Sequence, residues 1–164
     1  AALPENIDFL YLGGGYPEVF IKELSENTSM LTSVREALEA GLRCYAECGG
    51  LMYLTSVIEK VNAAGFLKGE AFMSSKLQNF GYAELEVTED NHLVEAGTKI
   101  NCHEFHKSYV EVEGEKYYKL TKTMYDGSLK TWNCGYIKNN ALAGYPHIHF
   151  FGNLDFLKQL VRRR

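Results

Sequence analysis

The sequence predicts one α/β domain, and two patterns along the chain carry that prediction together with its composition. The first 60 residues alternate between short apolar runs and segments with helical spacing, the order typical of a parallel sheet covered by helices. The middle of the chain consists of short alternating segments separated by Gly, Asn and Asp, which favours strands. With 164 residues, 46% hydrophobic and 23% charged, the chain suits a single globular domain with a substantial core.

The first half of the chain supplies the predicted parallel strands and their helices. Residues 7–12, IDFLYL, form an apolar run that stops at three glycines, as a buried strand would. Two segments with helical spacing follow, PEVFIKELSEN and SMLTSVREALEAG, with Pro17 suited to a first helical turn and Gly41 to a C-terminal cap. RCYAE at 43–47 predicts the next strand, and GGLMYLTSVIEK at 49–60 predicts the next helix.

The second half predicts strands, some of them antiparallel, and a closing helix. The strand segments are GFLKGEAFM, FGYAELEVT, GTKINCHEF, SYVEVEG, YYKLTKT and GYIKNNALAGYPH. NLDFLKQLVRR predicts the final helix, with Asn153 as its N-cap. No repeat and no long linker divides the chain.

Charge and composition exclude several classes of protein. The net charge of −4 and the pI of about 5.8 argue against a nucleic-acid binder, which usually has a basic surface. No apolar run approaches the roughly 20 residues that span a bilayer, and the start lacks a signal-peptide pattern. We expect no membrane partner. The cysteines contain no C-x-x-C pair, which favours reduced thiols in the cytoplasm; they are Cys44, Cys48, Cys102 and Cys134.

Cys48 lies between a predicted strand and a predicted helix, with Gly49 and Gly50 directly behind it. A sharp strand-to-helix turn can hold a nucleophile above a sheet, and a helix N-terminus stabilises a thiolate and an oxyanion. The alternative is a small buried residue at a tight turn, because free cysteine is often buried. The motif alone leaves both interpretations open.

The three glycines at 13–15 follow the first predicted strand. Loops at the C-terminal ends of parallel strands bind ligands in such folds, and glycines let the backbone come close to one. The alternative is a simple turn. A phosphate loop fits this segment poorly, because neither Gly-Lys-Ser/Thr nor G-x-G-x-x-G is present.

Histidines cluster in two short motifs, HEFH and HIH. A nucleophilic cysteine needs a base, and histidine is the usual one. A metal site is the rival functional interpretation, since both spacings occur in metal sites. A third alternative is that each histidine is a hydrogen-bonded, partly buried side chain. The four residues are His103, His106, His147 and His149.

Four motifs in order resemble one known family. YLGGGYPE (11–18), YAECGGLMYL (45–54), HEFHKS (103–108) and GYPHIHF (144–150) resemble the glutamine amidotransferase domain of cobyrinic acid a,c-diamide synthases, within the triad-type (class I) amidotransferases. The resemblance implies a three-layer, flavodoxin-like α/β domain with additional antiparallel strands. It also implies that residues 1–164 form the C-terminal part of a longer synthase and that the first strands of the domain precede Ala1.

The resemblance implies roles for the central residues. Cys48 matches the nucleophile that attacks the side-chain amide of glutamine, and His147 matches the histidine that activates it. Gly14 and Gly15 match the loop that holds the oxyanion together with the backbone N–H of Gly49. These roles agree with what amide hydrolysis requires, namely a thiolate, a proton donor for ammonia and N–H groups directed at the developing oxyanion.

The HEFHKS motif is implied to contribute to substrate binding, and two of its features depart from the family pattern. The implied binding residues are His103, Glu104, His106 and Ser108. Lys107 replaces an aromatic residue and Cys102 replaces a glycine, and we expect both changes to affect the rim of the pocket rather than the chemistry. Many triad-type members have Glu two residues after the histidine. Here that position is His149, so the third triad member stays unassigned, with His149 as one candidate.

The implied activity is glutamine hydrolysis that supplies ammonia to a carbon–nitrogen ligase. In the full synthase this ammonia would amidate the a and c carboxylates of cobyrinic acid during cobalamin biosynthesis, or those of hydrogenobyrinic acid or nickel-sirohydrochlorin. ATP and Mg²⁺ are expected on a synthetase domain outside this chain, and no cofactor or metal within it. A non-catalytic remnant or docking domain is the alternative. Missing first strands would leave an unpaired sheet edge, from which we expect a homo-oligomer.

Overall fold

The computed structural model of the chain describes residues 1–162 and contains two β-sheets with four α-helices in that range. The strands are β1 (Phe9–Leu12), β2 (Arg43–Glu47), β3 (Thr55–Ile58), β4 (Val61–Asn62), β5 (Leu67–Val87), β6 (Lys99–Val112), β7 (Tyr118–Thr123), β8 (Leu129–Cys134), β9 (Tyr136–Lys138), β10 (Ala141–Gly144) and β11 (His147–Ile148). The helices are α1 (Ile21–Glu26), α2 (Thr28–Glu39), α3 (Gly49–Leu54) and α4 (Leu154–Val161), and a 3₁₀ turn covers Phe150–Gly152.

The first sheet has the order β1-β2-β10-β9, and its first three strands are parallel. All five residues of β2 are buried or half-buried, as expected for an interior strand of a parallel sheet. α3 packs against β1, β2 and β10, while Phe156 of α4 contacts Tyr45 of β2 edge-to-face at 5.4 Å between ring centroids. The parallel sheet thus lies between other layers, and the predicted layered α/β fold is confirmed.

The second sheet is built on the long antiparallel pair β5 and β6. Its order is β11-β6-β5-β3-β4, and β7 pairs with β5 and then with β8. The antiparallel strands predicted in the middle of the chain are therefore present. The predicted number of strands was wrong, because β5 and β6 each combine two predicted strands and β8 was not predicted.

The predicted helix over 49–60 is too long, because α3 ends at Leu54 and Thr55 starts β3. The TSVI run is rich in β-branched residues and pairs with β5 and β4, so sheet pairing prevails over the helical spacing. α1 is also shorter than predicted, since turns precede it from Pro17 onward. Neither correction moves Cys48 away from the start of α3.

Two predicted helix caps have different outcomes. Gly41 follows α2 with a φ of +95°, and the N–H of Leu42 bonds to the carbonyl of Ala37, so Gly41 ends the helix as predicted. Asn153 precedes α4, but its side chain does not cap that helix. Its side-chain oxygen instead accepts the N–H of Asn101 in β6, and its side-chain NH₂ donates to the Asn101 carbonyl, each at 3.3 Å. These two bonds connect the start of α4 to the second sheet.

No helix within residues 1–162 combines the length and apolar character needed to cross a membrane.

Candidate active site

Cys48 lies at the sharp turn between β2 and α3, with φ 47° and ψ −103°. A residue other than glycine is strained at these backbone angles, and such strain is common at functional turns. The turn is held in place because the Cys48 N–H donates to the Gly144 carbonyl of β10 at 2.8 Å. The predicted strand-to-helix turn at Cys48 is therefore present.

His147 reaches Cys48 because β10 runs parallel to β2 and both strands end at the same edge of the sheet. Gly144 is in register with Glu47, and the chain then crosses to His147 in β11. The neighbouring Cys48 side chain, and then the Glu47 carboxylate, raise the pKa of His147 to about 10. The imidazole is thus protonated at neutral pH, and a protonated imidazole stabilises negative charge on a neighbouring sulfur.

Glu47 provides a buried carboxylate behind His147. Its Oε2 lies 3.7 Å from Nδ1 of His147, and the residue is only 3% exposed. Two donors fix this carboxylate, since the Tyr11 hydroxyl bonds to Oε2 at 2.9 Å and the Ile148 N–H bonds to Oε1 at 3.0 Å. The arrangement of thiol, imidazole and carboxylate has the order found in catalytic triads.

The position considered for the third triad member, His149, lies elsewhere. The His149 side chain is exposed and its Nδ1 accepts the N–H of Gly152 at 3.2 Å, which caps the 3₁₀ turn.

The sequence analysis did not identify Glu47 as a site residue. The available signal was a charged residue at the end of an otherwise buried strand, because an ionised carboxylate is rarely buried without a partner.

The glycine loop at 13–15 packs directly on the site. A Cβ on Gly14 would lie 2.3 Å from Cε1 of His147, and one on Gly49 would lie 2.5 Å from the Gly15 carbonyl oxygen. Any side chain at Gly14 or Gly49 would therefore displace the loop or the imidazole. A turn that only reverses the chain would not explain why the loop lies this close to the His147 imidazole.

His103 forms part of the wall beside His147. It faces His147 in the β6–β11 pairing, and the two imidazoles stack with centroids 5.0 Å apart. Burial, and then the nearby charge of His147, lower the pKa of His103. His103 is therefore favoured as a neutral imidazole next to the protonated one.

Alternation along β6 directs the other predicted residues of HEFHKS inward, where they are buried. Nε2 of His106 lies 2.9 Å from Oε2 of Glu104, and the Trp132 indole donates to Oε1 of Glu104 at 3.0 Å. The Ser108 hydroxyl contacts the Met52 sulfur at 3.3 Å. These polar side chains already have partners within the protein.

His106 also supports the segment that precedes His147. Its Nδ1 lies 2.8 Å from the Ser108 carbonyl oxygen, and its ring stacks on Tyr145 with centroids 3.8 Å apart and planes 4° apart. Both ring nitrogens of His106 therefore have hydrogen-bond partners, the Ser108 carbonyl and the Glu104 carboxyl group. Glu104 and His106 form a buried hydrogen-bonded pair.

Two cavities meet at Cys48. The larger, about 720 Å³, includes Glu47, His103 and His147 in its lining. The smaller, about 320 Å³, includes Met52, and its wall contains neither Glu47 nor His147. A substrate bound at the sulfur can therefore extend in two chemically different directions.

The rival metal site is not formed by the four clustered histidines. His103 and His147 stack on each other, His106 is paired with Glu104, and His149 caps a turn. Within residues 1–162, no three His, Cys, Asp or Glu side chains are grouped to hold a metal ion.

The other cysteines lie in the core. Burial raises the pKa of Cys44, Cys102 and Cys134 to about 12 each. These thiols remain protonated at neutral pH, and only Cys48 has a protonated imidazole as its partner among the described residues.

Comparison with known proteins shows the family of the chain. The family model described as "CobB/CobQ-like glutamine amidotransferase domain" matches residues 1–155. The chain belongs to this family. This CobB/CobQ-like amidotransferase domain is 59% identical over 165 residues to a cobyrinate a,c-diamide synthase from Clostridium tetani. It is 61% identical over 160 residues to a cobyrinate a,c-diamide synthase from Clostridium acetobutylicum. Both matches cover 98% of this chain.

The amidotransferase domain spans 38% and 37% of the lengths of these two relatives. Solved structures share its fold at low sequence identity. One titled as a glutamine amidotransferase has a TM-score of 0.65 at 17% identity and covers 95% of this chain and 80% of its own. PurLQS from Thermotoga maritima has a TM-score of 0.62 at 16% identity and covers 90% and 71%.

Proposed function

We propose that the domain hydrolyses the side-chain amide of glutamine, and the pairing of Cys48 at the strained turn with the protonated imidazole of His147 carries this proposal. The Cys48 sulfur attacks the amide carbon and the carbonyl oxygen becomes an oxyanion. The backbone N–H of Gly49 and the Gly14–Gly15 loop stabilise that oxyanion. His147 then gives its proton to the leaving nitrogen, which departs as ammonia and leaves a thioester on Cys48.

The second half of the reaction uses the same residues. His147, now neutral, accepts a proton from water as the water attacks the thioester carbon. The carbon–sulfur bond breaks, glutamate is released, and the sulfur and imidazole return to their starting states. Glu47 is the proposed third triad member, because its buried carboxylate holds Nδ1 of His147 and offsets the imidazolium charge.

The HEFHKS residues are proposed to shape the substrate site. His103 lines the large cavity beside His147, and Ser108 lines the small one. The hydrogen-bonded pair Glu104 and His106 lies in the inner wall, and its polar atoms already bond within the protein. We therefore assign these two side chains to the architecture of the pocket rather than to direct hydrogen bonds with glutamine.

In the longer protein, we propose that the ammonia amidates the a and c carboxylates of cobyrinate. Relatives named cobyrinate a,c-diamide synthase support this acceptor. ATP and Mg²⁺ would activate the carboxylate outside this chain, whose described residues offer no cluster of metal ligands. We also infer a cytoplasmic location, because the four cysteines are free thiols.

The direct test is release of glutamate and ammonia from glutamine by the chain alone. We expect slow but measurable turnover, because amidotransferase domains of this kind are coupled to their synthetase. Heat-denatured chain serves as the blank. A rate equal to the blank, even when the remaining part of a longer relative is added, would support the non-catalytic remnant instead.

We further propose that the chain self-associates through the edge of the first sheet. β1 pairs only with β2 among the described residues, and a groove of about 460 Å³ beside it includes Leu12 and Phe20. Val19 and Phe20 next to it are 66% and 59% exposed. Exposed edges and apolar patches attract partners.

Sedimentation at micromolar concentration should show dimers or larger species. The fraction of these species should fall in the Phe20→Ser variant. A monodisperse monomer of the unaltered chain would contradict the proposed self-association.

A further inference from the structure

Trp132 is the only tryptophan of the chain, and it lies in β8, outside every motif of the active site. Its indole N–H donates to Oε1 of Glu104 at 3.0 Å. Trp132 lines neither cavity at Cys48, but it lines a third cavity of about 130 Å³ whose wall also includes Glu104 and His106. Any effect of Trp132 on the reaction therefore has to pass through other side chains.

A continuous set of contacts leads from Trp132 to the segment that carries His147. The Glu104 carboxyl group accepts the indole N–H with one oxygen, and its other oxygen lies 2.9 Å from Nε2 of His106. The His106 ring stacks on the buried Tyr145 ring, with centroids 3.8 Å apart and planes 4° apart. Tyr145 precedes His147 by two residues, with one proline between them. The orientation of the Tyr145 ring therefore affects where the imidazole of His147 lies.

β8 holds this segment at a second point. Cys134 follows Trp132 by two residues and thus lies on the same face of the strand. Its sulfur accepts the N–H of Tyr145 at 3.3 Å. One strand thereby fixes the backbone of Tyr145 directly and its ring through Glu104 and His106.

The two reacting side chains belong to different sheets, which makes these contacts important. Cys48 follows β2 of the first sheet, whereas His147 lies in β11 of the second. The contacts from Trp132 to Tyr145 connect β8 of the second sheet to the end of β10 in the first. They lie where the distance between thiol and imidazole is decided.

Resting on the proposed glutamine hydrolysis, we propose that Trp132 is a positioning residue for the Cys48–His147 pair. Its N–H holds the Glu104 carboxyl group in the orientation that fixes His106. Glu104 is buried, and a buried acceptor without its donor is costly, so loss of the N–H turns the carboxyl group toward another donor and frees the stacked rings. Displacement of a catalytic group by about 1 Å can cost about 10²-fold in rate.

The test removes the indole N–H and keeps the ring. Because Trp132 is the only tryptophan, a tryptophan-auxotrophic host fed with an analogue changes that residue alone. Benzothienylalanine has sulfur in place of the N–H and nearly the same shape. Its chain should lose about 10-fold in kcat for glutamine while KM changes less than about 2-fold, because substrate binding is intact. Alkylation of Cys48 by iodoacetamide should slow about 3-fold, because a displaced imidazolium stabilises the thiolate less.

Three controls separate positioning from a general change at the indole. Fluorotryptophan keeps the N–H and should change neither kinetic constant. Lys130→Met removes the ammonium 5.6 Å from the centre of the Trp132 ring and should also leave both unchanged. Tyr145→Leu removes the stacked ring, so its loss of kcat should not multiply with that of Trp132→Phe in the double variant.

The outcomes distinguish this proposal from the one beneath it. Unchanged kcat and alkylation in the benzothienylalanine chain, a rise in KM alone, or an equal loss with fluorotryptophan would overturn the role of the Trp132 N–H while glutamine hydrolysis stands. An unaltered chain that hydrolyses no glutamine would overturn the proposed function. The alkylation rate of Cys48 would then decide the role of Trp132, since slower labelling without the N–H supports it and equal labelling contradicts it.

Discussion

Replacing Cys48 with alanine is expected to reduce glutamine hydrolysis by about 10⁴-fold or more, to the level of the blank. The substitution removes the atom that forms the thioester, and no other described thiol lies beside a protonated histidine. Alanine also fits the buried turn, since Cys48 is 6% exposed and its side chain is small. Glutamate release and the rate of iodoacetamide labelling are the measurements.

Cys44→Ala is the matched control, because Cys44 lies in β2, the strand that leads to Cys48, but is fully buried in the core, where its pKa is raised to about 12. The Cys44→Ala variant should keep its glutamine hydrolysis, and its Cys48 should still be labelled rapidly by iodoacetamide. Hydrolysis that survives in Cys48→Ala, or labelling that goes first to Cys102 or Cys134, would show that the nucleophile has been misplaced.

Replacing Glu47 with glutamine is expected to lower glutamine hydrolysis by about 10²- to 10⁴-fold. The change keeps the size of the side chain and an acceptor for the Ile148 N–H, but it removes the negative charge next to His147. That charge favours the protonated imidazole, so its loss must lower the pKa of His147 from about 10. The alkaline limb of the pH–rate profile, where imidazolium is lost as the pH rises, should therefore move to lower pH.

Tyr11→Phe is the control for Glu47→Gln, because it removes one donor to the carboxylate and leaves the charge. It should give a smaller loss of rate and a smaller shift of the alkaline limb. If Glu47→Gln keeps the wild-type pH profile and differs only in thermal stability, Glu47 is a structural acceptor for Tyr11 and Ile148 rather than a triad member.

Local patterns were enough to place Cys48 in the sequence. A buried strand, a small residue and two glycines predict a sharp strand-to-helix turn, and the structure has that turn at Cys48. The same holds for β2 and α2. The strand predicted at 7–12 is present as β1, but it starts at Phe9 and is half-buried to exposed rather than buried, because it lies at the edge of the sheet. The alternation along β6 is also local, and it already implies that His103 and His106 lie on opposite faces of the strand.

Local patterns failed where pairing with another segment decides that a stretch becomes a strand. The TSVI run at 55–58 has helical neighbours, yet it forms β3 because β5 lies beside it. β8 has weak alternation and becomes a strand because β7 supplies its hydrogen-bond partners. Propensity is a weak guide when such pairing satisfies the backbone of a whole segment.

The sequence by itself determined the α/β class, the turn at Cys48 and the histidine motif that, with its family resemblance, pointed to His147. Only the tertiary structure decided that Glu47, and not His149, faces His147, because this depends on the register that sets Glu47 of β2 beside Gly144 of β10. It alone also divided the space around Cys48 into two cavities. The physical reason is that covalent order fixes the faces of one strand, whereas side-chain contacts between strands arise only when hydrogen bonding sets their register.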